Sequence, residues 1–143
     1  YVGNGSYEPD SCRLSAFDLS GSLLWEISLM ACVDGPMAVA PDGDLYAATT
    51  SGLLAVTPST HGQRLAWTPT GTWRYMSSPV IDAEGFVYVT TQSPSAGAVL
   101  AAIRPDDTVA FTSNTDSYTM GPPALGDGVL YLVGASGLYA IGP

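Results

Sequence analysis

The feature that most constrains this chain is that it repeats itself. Residues 77–91 read SSPVIDAEGFVYVTT: a Pro-Val-Ile triplet, an acidic turn closed by Gly85, then Phe86-Val87-Tyr88-Val89. Residues 35–50 read GPMAVAPDGDLYAATT, and residues 121–136 read GPPALGDGVLYLVGAS. Pro36, Pro79 and Pro122 stand 43 residues apart at each step, and Tyr46, Tyr88 and Tyr131 follow at spacings of 42 and 43. A fixed period of this size is the mark of a repeat architecture and outranks any local reading.

Within each period the residues read as short strands. The segment 13–29 holds two strands around a turn at Asp18-Leu19-Ser20-Gly21, where Gly21 supplies the positive φ the turn needs. The next unit offers strands at 37–40, 45–49, 53–56 and 63–68, and the third at 79–82, 86–91, 99–103 and 108–113. The last offers 123–125, 129–133 and 138–141. No window carries a useful length of helical period. Gly and Pro together number 27 and fall mostly between the strands, as all-β turn chemistry requires. The fold class expected is all-β: β-propeller blades of four antiparallel strands each, present as a partial propeller or a fragment of a larger one. The division is 1–34 (last three strands of a blade), 35–76, 77–120, and 121–143 (first three strands). Strands buried on both faces lose their polar alternation, and Val129-Leu130-Tyr131-Leu132-Val133 does so.

At the turn between the third and fourth strands a resemblance appears. Ala16-Phe17-Asp18-Leu19-Ser20-Gly21-Ser22-Leu23-Leu24-Trp25 resembles the quinoprotein-type tryptophan-docking motif, shortened by one residue before the Gly. Ala55…Gly62…Trp67 reads as a second copy with Thr57 in place of the Asp, and Ala102…Asp107…Phe111 as a third with Phe for Trp. A small Ala allows close approach, the Gly or Asp tolerates a left-handed turn, and the aromatic packs against a neighbouring blade. With Leu-Tyr-Ala and Val-Tyr-Val on the second strands, the chain is similar to the PQQ-like β-propeller repeat family over nearly its whole length.

That resemblance implies one of two functions. Quinone-dependent dehydrogenases of the family place an adjacent Cys-Cys disulfide over the quinone, a Trp beneath it, and a calcium held by Glu, Asn and Asp. Here the cysteines are 20 apart, Lys is absent, and Trp25 and Trp67 are taken up by docking. The other kind of member is a non-catalytic scaffold or binding propeller, with no cofactor, and this is the function expected. The alternative is a segment of a PQQ-dependent dehydrogenase whose quinone and calcium site lies outside this stretch. In a binding propeller the loops on one face make the contacts, which singles out Trp73, Arg74 and Tyr75 in one entry loop and Tyr118 in another.

Composition narrows the partners. The 143 residues are 46% hydrophobic, enough for a core, and the formal charge is −9, from 13 acidic residues and four arginines. So few cations disfavour nucleic acid and anionic membranes, and no apolar run reaches bilayer-spanning length. A protein partner, or the remaining blades of the same polypeptide, is expected. Both ends of the chain read as cuts in a longer polypeptide or as products of processing. Two copies would not share one blade neatly, because the end units supply six strands where a blade takes four.

Cys12 and Cys32 flank the 13–31 hairpin and fall near each other at its open end. The residues leave open a disulfide, which would place the protein outside the cell, on its surface or in the periplasm, or two buried thiols. The Asp-Gly turns at 42–44, 82–85 and 127–128 lack calcium-loop spacing and sit where hairpins turn. His61, the one histidine, lies in a loop with no nucleophile elbow nearby. The sequence holds no catalytic constellation.

Overall fold

The computed structural model describes residues 1–4, 12–71, 75–93, 97–115 and 121–142. Among them the chain is all-β, and every pairing is antiparallel. No helix among the described residues is long and apolar enough to cross a membrane. Sheet A comprises β1 (Val2–Asn4), β2 (Arg13–Phe17) and β3 (Leu23–Ser28), in that spatial order. Sheet B comprises β4 (Val33–Val39), β5 (Leu45–Thr49), β6 (Gly52–Thr57) and β7 (Gly62–Trp67).

Sheet C is built on β10 (Val87–Ser93), flanked on one side by β11 (Gly97–Ile103) and β12 (Val109–Asn114). On its other side β10 pairs with β8 (Tyr75–Met76) and β9 (Val80–Ile81). Sheet D comprises β13 (Ala124–Gly126), β14 (Val129–Gly134) and β15 (Gly137–Ile141). Sequence neighbours are thus spatial neighbours, which short turns between antiparallel strands make the cheapest connection.

The turns are built by their own side chains. Asp42 Oδ1 accepts the Asp44 amide, Asp82 Oδ1 accepts the amides of Glu84 and Phe86, and Asp106 Oδ1 accepts that of Thr108. Each carboxylate holds the chain for the reversal. Gly43 and Gly85, at φ 95° and 87°, take the left-handed residue of two of these turns. The hairpins that the acidic Gly turns predict are present.

The period-two pattern of the strands decides how the sheets stack. In sheet B, Leu45, Ala47, Leu54 and Val56 join one core with Cys12, Leu14, Leu29 and Val33, so this face meets sheet A. The alternate residues Tyr46, Ala48, Leu53 and Ala55 join a second core with Val87, Val89, Ala101 and Ile103 of sheet C. A third core joins Leu100 and Tyr88 of sheet C to Leu130, Leu132, Tyr139 and Ile141 of sheet D. The sheets therefore pack in chain order, A on B on C on D, and β5 is buried along its whole length. Each fully buried Leu or Val contributes about 1.5–3 kcal/mol over its exposed state.

Three expectations change. β14 alternates instead of being buried on both faces, because nothing among the described residues covers the second face of sheet D. β4 is longer than residues 37–40 and begins at Val33, with a register shift between Val33 and Met37. Tyr75 and Met76, read from sequence as part of a loop, form a short strand that pairs with Gln92 and Thr91. Met76 is buried against the B–C core, which pulls the end of that loop into sheet C.

Candidate functional site

The disulfide is formed: Cys12 and Cys32 are joined, with their Cα atoms 4.8 Å apart. Cys12 precedes β2 and Cys32 precedes β4, so the bond ties sheet A to the entry of sheet B. Gln63 reinforces the junction, its amide donating to the Ser28 carbonyl at 2.7 Å while its Oε1 accepts the Met30 amide at 2.9 Å. Gly3 passes close to β4, where an added Cβ would lie 3.0 Å from the Val33 Cβ.

Of the loop residues named from sequence, Trp73, Arg74 and Tyr118 lie outside the described residues. The backbone of Tyr75 belongs to β8, so this position sits at a sheet edge. β7 ends at Trp67 and β12 at Asn114, both at the end of the sheets opposite the acidic turns.

The docking position recurs, but with changing chemistry. Ala16 pairs with Trp25, Ala55 with Arg64, and Ala102 with Phe111. The residue nine after the Ala, and not Trp67, is therefore the equivalent of Trp25 in sheet B. A register shift between Leu53 and Leu54 sets Trp67 opposite Leu53, where it packs against the B–C core. The left-handed residue of that turn is likewise His61 (φ 57°), not Gly62. Asp107 does hold the corresponding place in sheet C, at φ 65°.

Each of the first two docking side chains reaches the next sheet at this left-handed residue. The Trp25 ring lies 5.0 Å from that of His61. Arg64 reaches Asp107, 43 residues on, with Nε donating to Oδ2 at 2.5 Å and Nη2 to Oδ1 at 3.3 Å. Its Nη1 donates to Asp44 at 2.7 Å, and Nη2 also donates to the Tyr46 hydroxyl at 3.1 Å. The guanidinium carbon is 5.8 Å from the Tyr46 ring centre. Hydrogen bonding to Asp107 raises the Arg64 pKa further, so the cation is fixed at any physiological pH. Burial raises the Tyr46 pKa, and burial with the hydrogen bond to Asp82 pushes Tyr88 up to about 12. The sequence signal for Arg64 was its place nine residues after an Ala; the aromatic at Trp67 masked it.

The turns at this end also gather acid: Asp18, Asp42, Asp44, Asp82, Glu84, Asp106, Asp107 and Asp127 all lie in or beside them. Between sheets B and C a small hollow of about 120 Å³ is lined by Pro41, Asp42, Tyr46, Glu84 and Pro105. At the C–D junction Phe111, shorter than a Trp, borders a groove of about 300 Å³ with Tyr88, Leu125, Leu130 and Ile141. These contacts tie each sheet to the next, and among the described residues they bring together no nucleophile with a base.

No protein-family model matches the chain, and no curated protein is significantly similar to it.

Proposed function

We propose that this chain is part of a non-enzymatic binding or scaffold β-propeller with PQQ-like repeats, its units being 1–34, 35–76, 77–120 and 121–143. The observation that carries this reading is the core arrangement of sheet B, which buries one face against sheet A and the other against sheet C. Antiparallel sheets that share cores in series, at a 43-residue period, are what a propeller or a related repeat array requires. Such a stack serves as a frame for its end connections. Those carrying Trp73, Arg74, Tyr75 and Tyr118 are the contact surface, because large aromatics and Arg dominate protein interfaces. The partner is a protein, or further blades of the same polypeptide. The disulfide supports export, to the cell surface, the periplasm or the medium.

The quinone-dependent dehydrogenase reading needs its whole site outside this stretch. The two cysteines here tie sheet A to the entry of sheet B across a separation of 20, so they are not the adjacent pair that such enzymes use.

The test is affinity capture from the envelope and secreted fractions of the source, using wild type and a Trp73→Ala/Arg74→Ala/Tyr118→Ala variant. Proteins retained by wild type and lost by an equally stable variant support the loop face. Identical capture by both would refute it.

A further inference from the structure

The hollow between sheets B and C has built walls and unpaired charge at its border. Pro41 stands in the β4–β5 turn, Glu84 and Gly85 in the β9–β10 turn and Pro105 in the β11–β12 turn, and Tyr46 of β5 completes the lining. Each turn is closed by its own backbone: the Gly43 amide donates to the Ala40 carbonyl, that of Gly85 to Asp82 and that of Asp107 to Arg104. Arg64 locks the first turn to the third by bridging Asp44 and Asp107. Gly85 packs so closely on Pro105 that an added Cβ would lie 3.2 Å from its Cγ. The shape is therefore set before anything enters it, which spares an occupant the cost of ordering the site.

Size and chemistry select the occupant. A volume of about 120 Å³ has room for roughly four waters. It falls short of the ~300 Å³ at which small-molecule pockets begin, so it fits a single side chain. The two proline rings and the tyrosine suit a hydrocarbon stem, while Asp42 and Glu84 form no ion pair among the described residues. A lysine combines such a stem with a compact ammonium head. An arginine fits less well: Asp42 Oδ1 already accepts the Asp44 amide, which leaves one oxygen rather than the fork a guanidinium matches. The 143 residues contain no Lys. Arg13 is held by Glu26, Arg64 by Asp44 and Asp107, and Arg104 by Thr108 and the Val109 carbonyl. The turns at this end carry eight carboxylates against Arg64 and Arg104, a field that draws a basic partner towards it.

We propose that the acidic turn end of this chain docks a basic segment of another protein, with one lysine side chain seated in the hollow between sheets B and C. The turns supply the long-range attraction, and the hollow fixes which residue of the segment sits where. Its walls come from sheets B and C alone, so the site does not depend on what covers the outer faces of sheets A and D. It lies at the opposite end of the sheets from Trp67 and Asn114, where β7 and β12 finish. The proposal thus goes beyond the loop face and does not rest on it.

The test is an amide NMR titration of the 143-residue chain at fixed ionic strength with a blocked Gly-Lys-Gly-Lys-Gly peptide, and with the same peptide acetylated at Nζ. Two variants accompany the wild type, with circular dichroism to check their folding. Asp42→Asn/Glu84→Gln removes the two charges at the hollow but keeps an oxygen for the turn. Asp18→Asn/Asp127→Asn removes as many charges from the same end, away from the hollow. The expected result is saturable shifts at the amides of Asp42, Asp44, Glu84 and Gly85 with the lysine peptide and none with the acetylated one. Affinity should fall roughly five- to tenfold in the hollow variant and less than about twofold in the other. No saturable shift at those amides by about 10 mM peptide overturns the proposal, and needs no variant to do so. Equal binding by the hollow variant and wild type overturns it as well. So does an equal loss in the two variants, because the field of the turns, and not the hollow, would then be holding the peptide.

Discussion

Arg64 shows what one position can do within a repeat. Its counterparts Trp25 and Phe111 are aromatic, and an aromatic gains by covering apolar area on the neighbouring sheet. Arg64 instead spans two sheets with a forked set of bonds to Asp44 and Asp107. A guanidinium suits this because its donors are fixed in a plane that matches two carboxylates at once. Tyr46 and Tyr88, on equivalent strands, differ as well: one hydroxyl accepts from Arg64 and the other donates to Asp82. Tyr88 leads to a pH prediction. Its folded pKa, about 12, lies above the ordinary tyrosine value of 10.0. The folded state therefore holds this proton more tightly than the unfolded chain does. The associated stability is complete below pH 10 and is lost as the pH rises towards 12. Urea unfolding at about pH 9 and about pH 11.5 should show a smaller loss for Tyr88→Phe than for wild type; equal losses would show that Tyr88 is not responsible.

At the scale of elements, the hairpins are local objects and their junctions are not. Each hairpin has its reversal written into two to four residues, as at Asp82 and Gly85. This is why the strands were legible from sequence almost throughout. The register of β6 against β7 was not, because the shift between Leu53 and Leu54 depends on how β7 settles on its neighbours. Gly52 marks the spot: its φ is 139°, and an added Cβ would meet the Trp67 carbonyl oxygen at 2.5 Å. The disulfide is another junction device. It closes a loop across 20 residues and holds sheet A on sheet B. Cys12→Ser/Cys32→Ser should lower the unfolding free energy by about 2–4 kcal/mol, measured by chemical denaturation. A change below about 0.5 kcal/mol would mean that the A–B core holds the sheet unaided.

For the whole molecule, burial is uneven. The B–C core is the largest, and together with the A–B core it encloses both faces of β5 and β6, whereas the C–D core rests on Leu100, Leu130 and Leu132. Local opening is easiest where fewest apolar contacts are lost. In dilute solution the amides of β14 should exchange faster than those of β5 and β6. Uniform exchange across the four sheets would contradict this gradient.

The sequence by itself determined the all-β class, the 43-residue unit and nearly all the hairpins, because turn chemistry and strand alternation act within a few residues. It also brought Cys12 and Cys32 to the same end of a hairpin while leaving their bond open. Only the tertiary structure decided which residue occupies the docking position, that Arg64 finds Asp107 43 residues away, and which sheet faces are covered. Those outcomes depend on contacts between units, where register, side-chain reach and the presence of a neighbouring sheet settle the matter together.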